Sequence, residues 1–334
     1  MIIFKLLPGE RTVLSWKDLS FDSASLFGAI SNAIFELYGE EELNAFFETF
    51  EVGEISISSI FPMISHENIE VFFFPRPILA FERKEGKNES GEGIDRKKVK
   101  RVKWLSLKVF EKFLSTIERD EDGKYHHSCE LGEYEIFWGD KFCAFKGELP
   151  KDVIEKPHCF DVKEFPHVSI DRLTYSSSLF FTESIFVSSP LAFFFLCRCF
   201  SDEWRKKLES AIRFLADEGF GGGRNEGKGI FAHVEVEEKE IFKKVEDPLG
   251  YVGLSLVYPD RRELGKLVSF SLVKKDGFVY AGGGRSLKKS RLMMLSEGCF
   301  YSGKVKGLLL KEEGKGFRVL RNGKAFLIPV GGRK

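Results

Sequence analysis

The stretch Gly219-Phe-Gly-Gly-Gly-Arg-Asn-Glu-Gly-Lys-Gly229 constrains this chain more than any other, because six of its eleven residues are glycine. Every glycine loses much backbone freedom on folding, so this density belongs where a backbone must bend sharply or approach something closely. The flanks fix its setting. Upstream, Ser201 caps a helix in which Trp204, Leu208, Ala211, Ile212 and Leu215 share one face. Downstream, Ile230 to Val236 reads as a strand. Gly222-x-x-x-x-Gly227-Lys228 has the outline of a nucleotide-binding P-loop, but Gly229 stands where that loop needs Ser or Thr. The order helix, loop, strand also reverses the strand, loop, helix that faces a helix N-terminus toward phosphate. The ATPase reading fails on both counts. Gly219 alone would serve as a helix C-cap. The surplus glycines, interspersed with Arg224, Asn225 and Lys228, point instead to a polyanion at a bare backbone.

The rest of the chain places this loop in an α+β fold. Ile2 to Leu7 suits a buried strand. Asp22-Ser23 is an N-cap before Leu26, Ile30, Ala33, Ile34 and Leu37 at helical spacing, and Gly39 ends that helix. Glu54 to Ile60 and Ile69 to Phe74 are strand-like, and Pro75-Arg76-Pro77 stops the second. Residues 82 to 95 are charged and read as a projecting loop, which runs into Arg96-Lys-Lys-Val-Lys-Arg-Val-Lys103, six of eight residues basic. A helix over Leu107 to Ile117 follows, then strands at Ser169 to Tyr175, Leu179 to Val187 and Leu191 to Cys197. Strand, helix, two or more strands, helix, strand is the order of a ferredoxin-like βαββαβ unit with insertions. The charged stretch Glu237 to Asp247, ending at Pro248, reads as a boundary. Beyond it, Val252 to Tyr258, Leu267 to Val273, Gly298 to Tyr301 and Ala325 to Val330 are strand candidates. The expectation is two ferredoxin-like lobes: residues 1–240, with a thumb insertion at about 80–104 and the glycine loop at 219–229, and a degenerate copy at 249–334.

Lys+Arg and Asp+Glu both total 51, so the chain as a whole is neutral. A local basic stripe can still supply phosphate contacts, and acidic surfaces suit a protein that meets RNA inside a larger assembly. The cysteines form no CxxC pair and read as reduced thiols of a cytoplasmic protein. The longest uncharged apolar run, Ser184 to Cys197, is too short for a membrane-spanning helix, which needs ~20 residues. His126, His127, His158 and His167 are the candidates for a general base, and Asp18 and Asp22 for a metal-binding carboxylate. None stands in a motif that pairs it with a second catalytic group. A metal site from His126, His127, Cys129, Cys143, His158 and Cys159 fits no ligand spacing. No catalytic residue, metal or cofactor is expected.

Helix, glycine-rich loop, strand resembles the signature of the RAMP superfamily of CRISPR proteins, built on ferredoxin-like (RRM/RAMP) folds. Further segments resemble one branch of it: Phe21-Asp-Ser-Ala-Ser-Leu-Phe-Gly-Ala-Ile30, Ile57-Ser-Ser-Ile-Phe-Pro62, Phe73-Phe-Pro-Arg-Pro77, Lys103-Trp104-Leu105, Ile170-Asp-Arg-Leu-Thr174 and Leu215-Ala-Asp-Glu-Gly-Phe-Gly-Gly-Gly223. Ser296-Glu-Gly298 and Arg321-Asn-Gly-Lys-Ala-Phe-Leu-Ile-Pro329 are similar to it too. That branch is the subunit of type III-A (Csm) effector complexes that caps the 5′ repeat-derived handle of the crRNA.

The resemblance implies a non-catalytic, crRNA-binding subunit. Its partners would be the crRNA 5′ handle, the large polymerase-like subunit, the first backbone RAMP subunit, and target RNA near the handle–guide junction, with no membrane. It implies RNA contacts at Gly219, Gly221, Gly222, Gly223, Arg224, Asn225, Gly227, Lys228 and Gly229 of the loop. The start of the first helix would add Ser23, Ser25, Phe27 and Gly28. The thumb and its surroundings would add Arg76, Arg83, Lys97, Lys98, Lys100, Arg101 and Lys103, with Arg172, Arg285 and Lys288 elsewhere. A plainer reading of 96–103 is an edge strand protected by lysines. The rival function is a RAMP endoribonuclease that processes precursor crRNA. Against it, the loop of those enzymes lies close to the C-terminus, whereas about a hundred residues follow it here. Relatives of the capping branch carry an acidic residue before Leu-Phe-Gly-Ala, where this chain has Ala24.

Overall fold

A computed structural model of the chain describes residues 1–16, 18–81, 96–156, 159–280, 286–314 and 317–331. Its framework is a mixed α/β arrangement around one large sheet. In chain order the principal elements are β1 (Ile2–Leu7), α1 (Ser23–Tyr38), α2 (Glu40–Val52), β2 (Phe61–His66), β3 (Ile69–Pro75), α3 (Arg96–Arg101), β4 (Trp104–Ser106) and α4 (Leu107–Ser115). Then come β5 (Glu135–Phe137), β6 (Phe142–Ala144), β7 (Phe160–Ile170), β8 (Ser177–Val187), β9 (Leu191–Cys199), α5 (Asp202–Glu218) and β10 (His233–Glu238). The sheet runs β5-β6-β4-β3-β2-β9-β1-β10, and Ile55–Ile57 pairs with the far end of β9. β1 lies between β9 and β10, antiparallel to both, with Phe4 opposite Phe195 and Val236.

The helices α1, α4 and α5 start where the sequence provides a cap. Asp22 accepts from Ser25 N to open α1, and Ser201 accepts from Trp204 N to open α5. α1 and α5 lie against each other, and the buried faces they share carry the apolar residues read from the sequence, except Leu37, which is exposed. The helix α2 was not read. Its glutamate-rich face hides Phe46 and Phe50, whose rings pack 5.6 and 4.7 Å from Phe27, with Trp204 5.7 Å from Phe46. Fully burying such a ring stabilises the fold by roughly 1.5–3 kcal/mol, which is why the helix forms despite three adjacent glutamates at its start. Those glutamates also face the positive end of the helix dipole.

Lys5 is the exception inside β1. It is buried, yet Glu70 and Glu237 hold its ammonium at 2.6 and 3.1 Å. Burial works against the charge, but these carboxylates raise its pKa above the ordinary lysine value.

Beyond residue 249, β11 (Gly250–Gly253), β12 (Leu267–Ser269), β13 (Phe300–Tyr301) and β14 (Leu327–Val330) form a sheet in the order β12-β13-β11-β14. The expected degenerate copy of the first lobe finds no α-helix here among the described residues; a 3-10 turn, Arg261–Lys266, is the helical element present. Val257, Leu295, Cys299, Tyr301, Val305 and Leu327 form a small core of their own, but other residues of this part join the main one. Val252, Leu254, Phe300, Phe326, Ile328 and Val330 belong to the same buried cluster as β1 and β9. Arg198 spans the junction, donating to Leu327 O at 2.9 Å with its guanidinium 4.1 Å from the Phe326 ring.

Candidate nucleic-acid interface

The glycine loop leaves α5 at Gly219 and closes on itself before β10. Phe220 is fully buried, and its ring lies 6.4 Å from Phe21 and 5.8 Å from Phe231. The loop's mouth is stitched by Phe220 N donating to Gly229 O at 3.0 Å and Gly229 N donating to Val13 O at 2.7 Å. Gly229 has φ +83°, and a Cβ there would meet Phe220 O at 2.4 Å; Gly219 has φ +100° and would meet Lys228 O at 2.4 Å. These two glycines are required by the loop's own closure. Between them Gly222, Arg224, Asn225 and Gly227 are exposed, and Gly221 and Gly223 partly so. Ser15 Oγ and Trp16 Nε1 donate to the carbonyls of Gly222 and Phe220 at 2.6 and 3.1 Å.

Lys228 departs from the expectation of an outstretched cation. Its side chain is 13% exposed, pairs with Glu226 at 3.0 Å and lies 5.9 Å from the Phe165 ring. The loop's outward cation is Arg224.

At the start of α1 the structure separates four residues that the sequence grouped. Ser23 is buried: its N–H donates to Ser59 Oγ and its Oγ accepts from Leu256 N, both at 2.9 Å. Phe27 is buried in the ring cluster with Phe46 and Phe50. Neither reaches the surface, so both are corrected from RNA-contact residues to structural ones. Gly28 sits inside the helix, where its N–H belongs to the helical ladder. Ser25 is partly exposed, but the Asp22 carboxylate occupies the position expected for a phosphate, accepting from Ser25 N and Oγ at 2.9 Å each.

The basic run is a helix, not an edge strand. α3 carries Lys97, Lys98, Lys100 and Arg101 exposed, while Val102 beyond it is buried. Arg76 is enclosed rather than presented: it donates to Val99 O at 2.9 Å, fastening α3 to the end of β3. Lys103 reaches Asp18 at 2.6 Å and Arg101 reaches Asp140 at 3.2 Å. Burial opposes the Asp18 charge, but the Lys103 hydrogen bond and the Leu19 N–H hold its pKa below the ordinary value. Because Asp18 follows closely on Ser15 and Trp16, the basic run and the glycine loop meet along one stretch of chain. Phe21, against Phe220, joins the start of α1 to both.

The element that stands away from the sheet is one the sequence placed incorrectly. β7 and β8 pair over eleven residues each, from Phe160↔Val187 to Ile170↔Ser177. Residues 169–175, read as a strand, include the hairpin tip: Asp171 accepts from Leu173 N and Thr174 N at 2.8 Å, an Asx turn, with Tyr175 at φ +55°. Arg172 is exposed at this tip. Leu173 and Tyr175 are 91% and 84% exposed, and Phe180 and Phe181 lie open on β8. The middle of the hairpin sits beside the glycine loop, through Phe165 and Lys228. Asp-Arg-Leu-Thr between two alternating runs was the signal that could have located it. Most of the expected thumb, 82–95 with Arg83, lies outside the described residues, as do Arg285 and His158. Lys288 is exposed in the strand Ser286–Lys288.

Of the candidate bases, His127 is enclosed and His167 is half-buried in the hairpin. His127 is buried 4.1 Å from the Phe113 ring, and burial, with Arg76 and His126 adding, pushes its pKa down to about 3. His167 shares a hydrogen-bonding distance of 2.8 Å with Thr182 and stacks on Phe180 within the hairpin. Burial pushes the Cys129 and Cys143 thiols up, to about 11 and about 12. Among the described residues no group of three metal-ligating side chains comes together, and no helix is long and apolar enough to cross a membrane.

Residues 247–330 match the family model of the CRISPR Csm4 C-terminal domain. Two curated relatives carry the likeness through the remainder. The CRISPR system Cms protein Csm4 of Methanocaldococcus jannaschii is 28% identical over 305 residues, 83% of this chain and 78% of that protein. The protein of the same name from Thermococcus onnurineus is 27% identical over 312 residues, 92% of this chain and 90% of that protein. The chain is thus similar to Csm4 proteins along most of its length. Its fold agrees with that of solved Csm4 structures. The Csm3–Csm4 subcomplex of a type III-A CRISPR-Cas interference complex superposes with a TM-score of 0.65 at 20% identity, covering 99% of this chain and 100% of the other. A Csm1–Csm4 cassette in complex with cA4 gives 0.60 at 22%, covering 100% and 98%. The motif resemblance to a Csm subunit agrees with these Csm4 relatives.

Proposed function

We propose that this Csm4-like chain is a non-catalytic crRNA-binding subunit of a cytoplasmic type III-A complex. It holds the 5′ repeat-derived handle and docks against the large polymerase-like subunit and the first backbone subunit. The observation that carries this reading is that Ser15 and Trp16 hold the glycine loop while Asp18 pairs with Lys103 at the end of the basic run. Together they offer exposed backbone and cations along one track, joined by Trp16, Phe21 and the Asp18–Lys103 pair. The exposed apolar hairpin at the end of this track extends the reading to target RNA near the handle–guide junction, because unpaired bases stack on such rings. In this reading the hairpin takes the projecting part first given to 80–104, and α3 retains the phosphate contacts.

The first lobe is read as ferredoxin-like on its strand order. With β1, β2, β9 and β10 as the unit's four strands, the order β2-β9-β1-β10 places the first strand between the third and fourth. The enclosed His127 and the hairpin-bound His167 give no support to a ribonuclease.

The test is binding of a handle-containing RNA across a salt series. Arg224→Ala should weaken binding and lower the salt slope by about 1, and the wild-type chain should cut nothing with or without divalent metal. Cleavage of a repeat hairpin by the pure protein, abolished by a single His→Ala change, would establish the processing enzyme instead.

A further inference from the structure

The last turn of α1 overhangs the core. Burial along this helix stops at Ile34, and Phe35, Glu36, Leu37 and Tyr38 are all exposed. Gly39, whose N–H donates to Phe35 O at 2.9 Å, turns the chain directly into α2, where Glu40 and Glu41 are exposed as well. This elbow carries three large apolar side chains, Phe35, Leu37 and Tyr38, at 47%, 41% and 38% exposure. Phe35 and Tyr38, three residues apart, lie on one face. Leu37 continues the apolar spacing that the rest of α1 buries, yet it has left the core. Folding does not account for so much apolar surface in one turn, and exposed apolar surface of this kind marks a contact site.

The charge around the elbow is of one sign. Residues 32–54 hold seven glutamates and no lysine, arginine or histidine. Glu42 is held by Lys207 of α5 at 2.7 Å. Glu36, Glu40 and Glu41, which stand among the three apolar side chains, have no ion pair or hydrogen bond to their carboxylates among the described residues. Such a surface rejects RNA, because the glutamates repel its phosphates. It also disfavours a twofold contact with a second copy, which would set the same glutamates against one another. What it matches is a face with an apolar recess and a rim of basic side chains. Its position leaves the RNA track free. α1 has 16 residues and so spans about 24 Å, and the opposite end of it is the one that meets the glycine loop, through Phe21 and Phe220.

We propose that the α1–α2 elbow is a docking face for a partner protein subunit that presents lysines and arginines around an apolar recess. Phe35 and Tyr38 are its anchors, since aromatic side chains bury much area for few rotatable bonds and are prominent among residues that dominate binding. Glu36, Glu40 and Glu41 are its rim, which attracts the basic partner and fixes its alignment. The fold accepts Glu40 and Glu41 readily, because they face the positive end of the α2 dipole. RNA and a protein partner are then held at opposite ends of one helix. This inference rests on the reading of the chain as a subunit of a larger assembly and gives one of its protein contacts a place.

The experiment recovers the affinity-tagged chain from cells that make it together with its complex, with washes of increasing salt. It compares the wild type, the triple variant Glu36→Gln/Glu40→Gln/Glu41→Gln and the double variant Phe35→Gln/Tyr38→Gln. Melting temperature and binding of a handle-containing RNA are measured on each purified chain. The triple variant changes only exposed, unpaired side chains, so it should fold and bind RNA within about twofold of the wild type. It should retain about three- to tenfold less of one partner subunit at low salt, and the remainder should depend less on salt. The double variant should lose the same subunit by about tenfold or more. Should the double variant melt early, the triple variant alone decides. If the variants keep every partner as the wild type does, the docking face is overturned and the assembly reading stands. If the wild type brings down no partner, both fall. Loss of RNA binding by the triple variant would put the elbow in the RNA site and overturn the proposal. Self-association of the wild type that the double variant abolishes would make a second copy the occupant and overturn it too.

Discussion

Lys228 and Glu226 close the glycine loop from within: their charged atoms lie 3.0 Å apart, and the lysine is folded back over Gly223 rather than extended into solvent. The pair makes the loop's cation conditional, because a phosphate must compete with the carboxylate. Glu226→Gln should therefore raise RNA affinity at low salt by about threefold and steepen the salt slope, as one more cation is released for phosphate. A salt titration of binding measures this directly, and an unchanged slope would mean that Lys228 stays folded inward when RNA is bound.

Two glycines of the same loop should respond very differently to alanine. At Gly229 the added Cβ would meet Phe220 O at 2.4 Å and N at 2.5 Å, whereas at Gly227 it would meet nothing within 4 Å. Both have positive φ, so both incur backbone strain of about 1 kcal/mol. Gly229→Ala adds a backbone collision and should cost roughly 2–3 kcal/mol or more in total. Thermal unfolding of the two variants checks the order, and equal midpoints would contradict the loop closure described here.

The hairpin should be dispensable for folding. Phe165 faces Thr182 in register, so residues 166–181 can be replaced by Asn-Gly, a two-residue hairpin turn. Most of the removed side chains are exposed, and the melting temperature should move by no more than about 2 °C. Assembly with RNA should weaken nonetheless. A shortened chain that assembles as well as the full one would remove the hairpin from the interface.

What was legible in the sequence follows from how each element is stabilised. α1 and α5 were readable because one-sided burial imposes a helical period on Leu26, Ile30, Ala33 and Ile34 and on Trp204, Leu208, Ala211 and Leu215. α2 was not, since its buried Phe46 and Phe50 sit among acidic residues and an exposed Val52, leaving few apolar positions to mark the period. β7 and β8 were misplaced for a related reason: with neither face of the hairpin's outer half buried, no alternation fixes the register. The glycine loop and Arg224 were legible as a site. Ser23 and Phe27 were not separable from surface residues, because burial at a helix start depends on what packs there, here Ser59 and the rings of α2.

Glu297 gives a pH dependence whose sign is fixed. Partly buried, it accepts a hydrogen bond from Ser59 Oγ, and desolvation, with Asp22 adding, raises its pKa. A folded-state pKa above the unfolded one means that the proton is held more tightly in the fold. Its contribution to stability is full below the ordinary glutamate pKa and is lost as pH rises through the raised value. Glu297→Gln, which stays neutral, should abolish that loss, so its melting temperature should exceed the wild type's by about 2–4 °C above the raised pKa and match it in acid. Parallel melting curves across pH would contradict this assignment.

The central claim, an RNA holder within a larger assembly, is tested most directly by recovering the affinity-tagged chain from cells that make it together with its complex. The account predicts a ladder of partner subunits accompanied by RNA with one uniform 5′ end, and loss of that RNA when Arg224, Lys98 and Lys100 are replaced together by alanine. Recovery of the chain with its partners but without RNA, or with RNA of scattered 5′ ends unaffected by those substitutions, would contradict it.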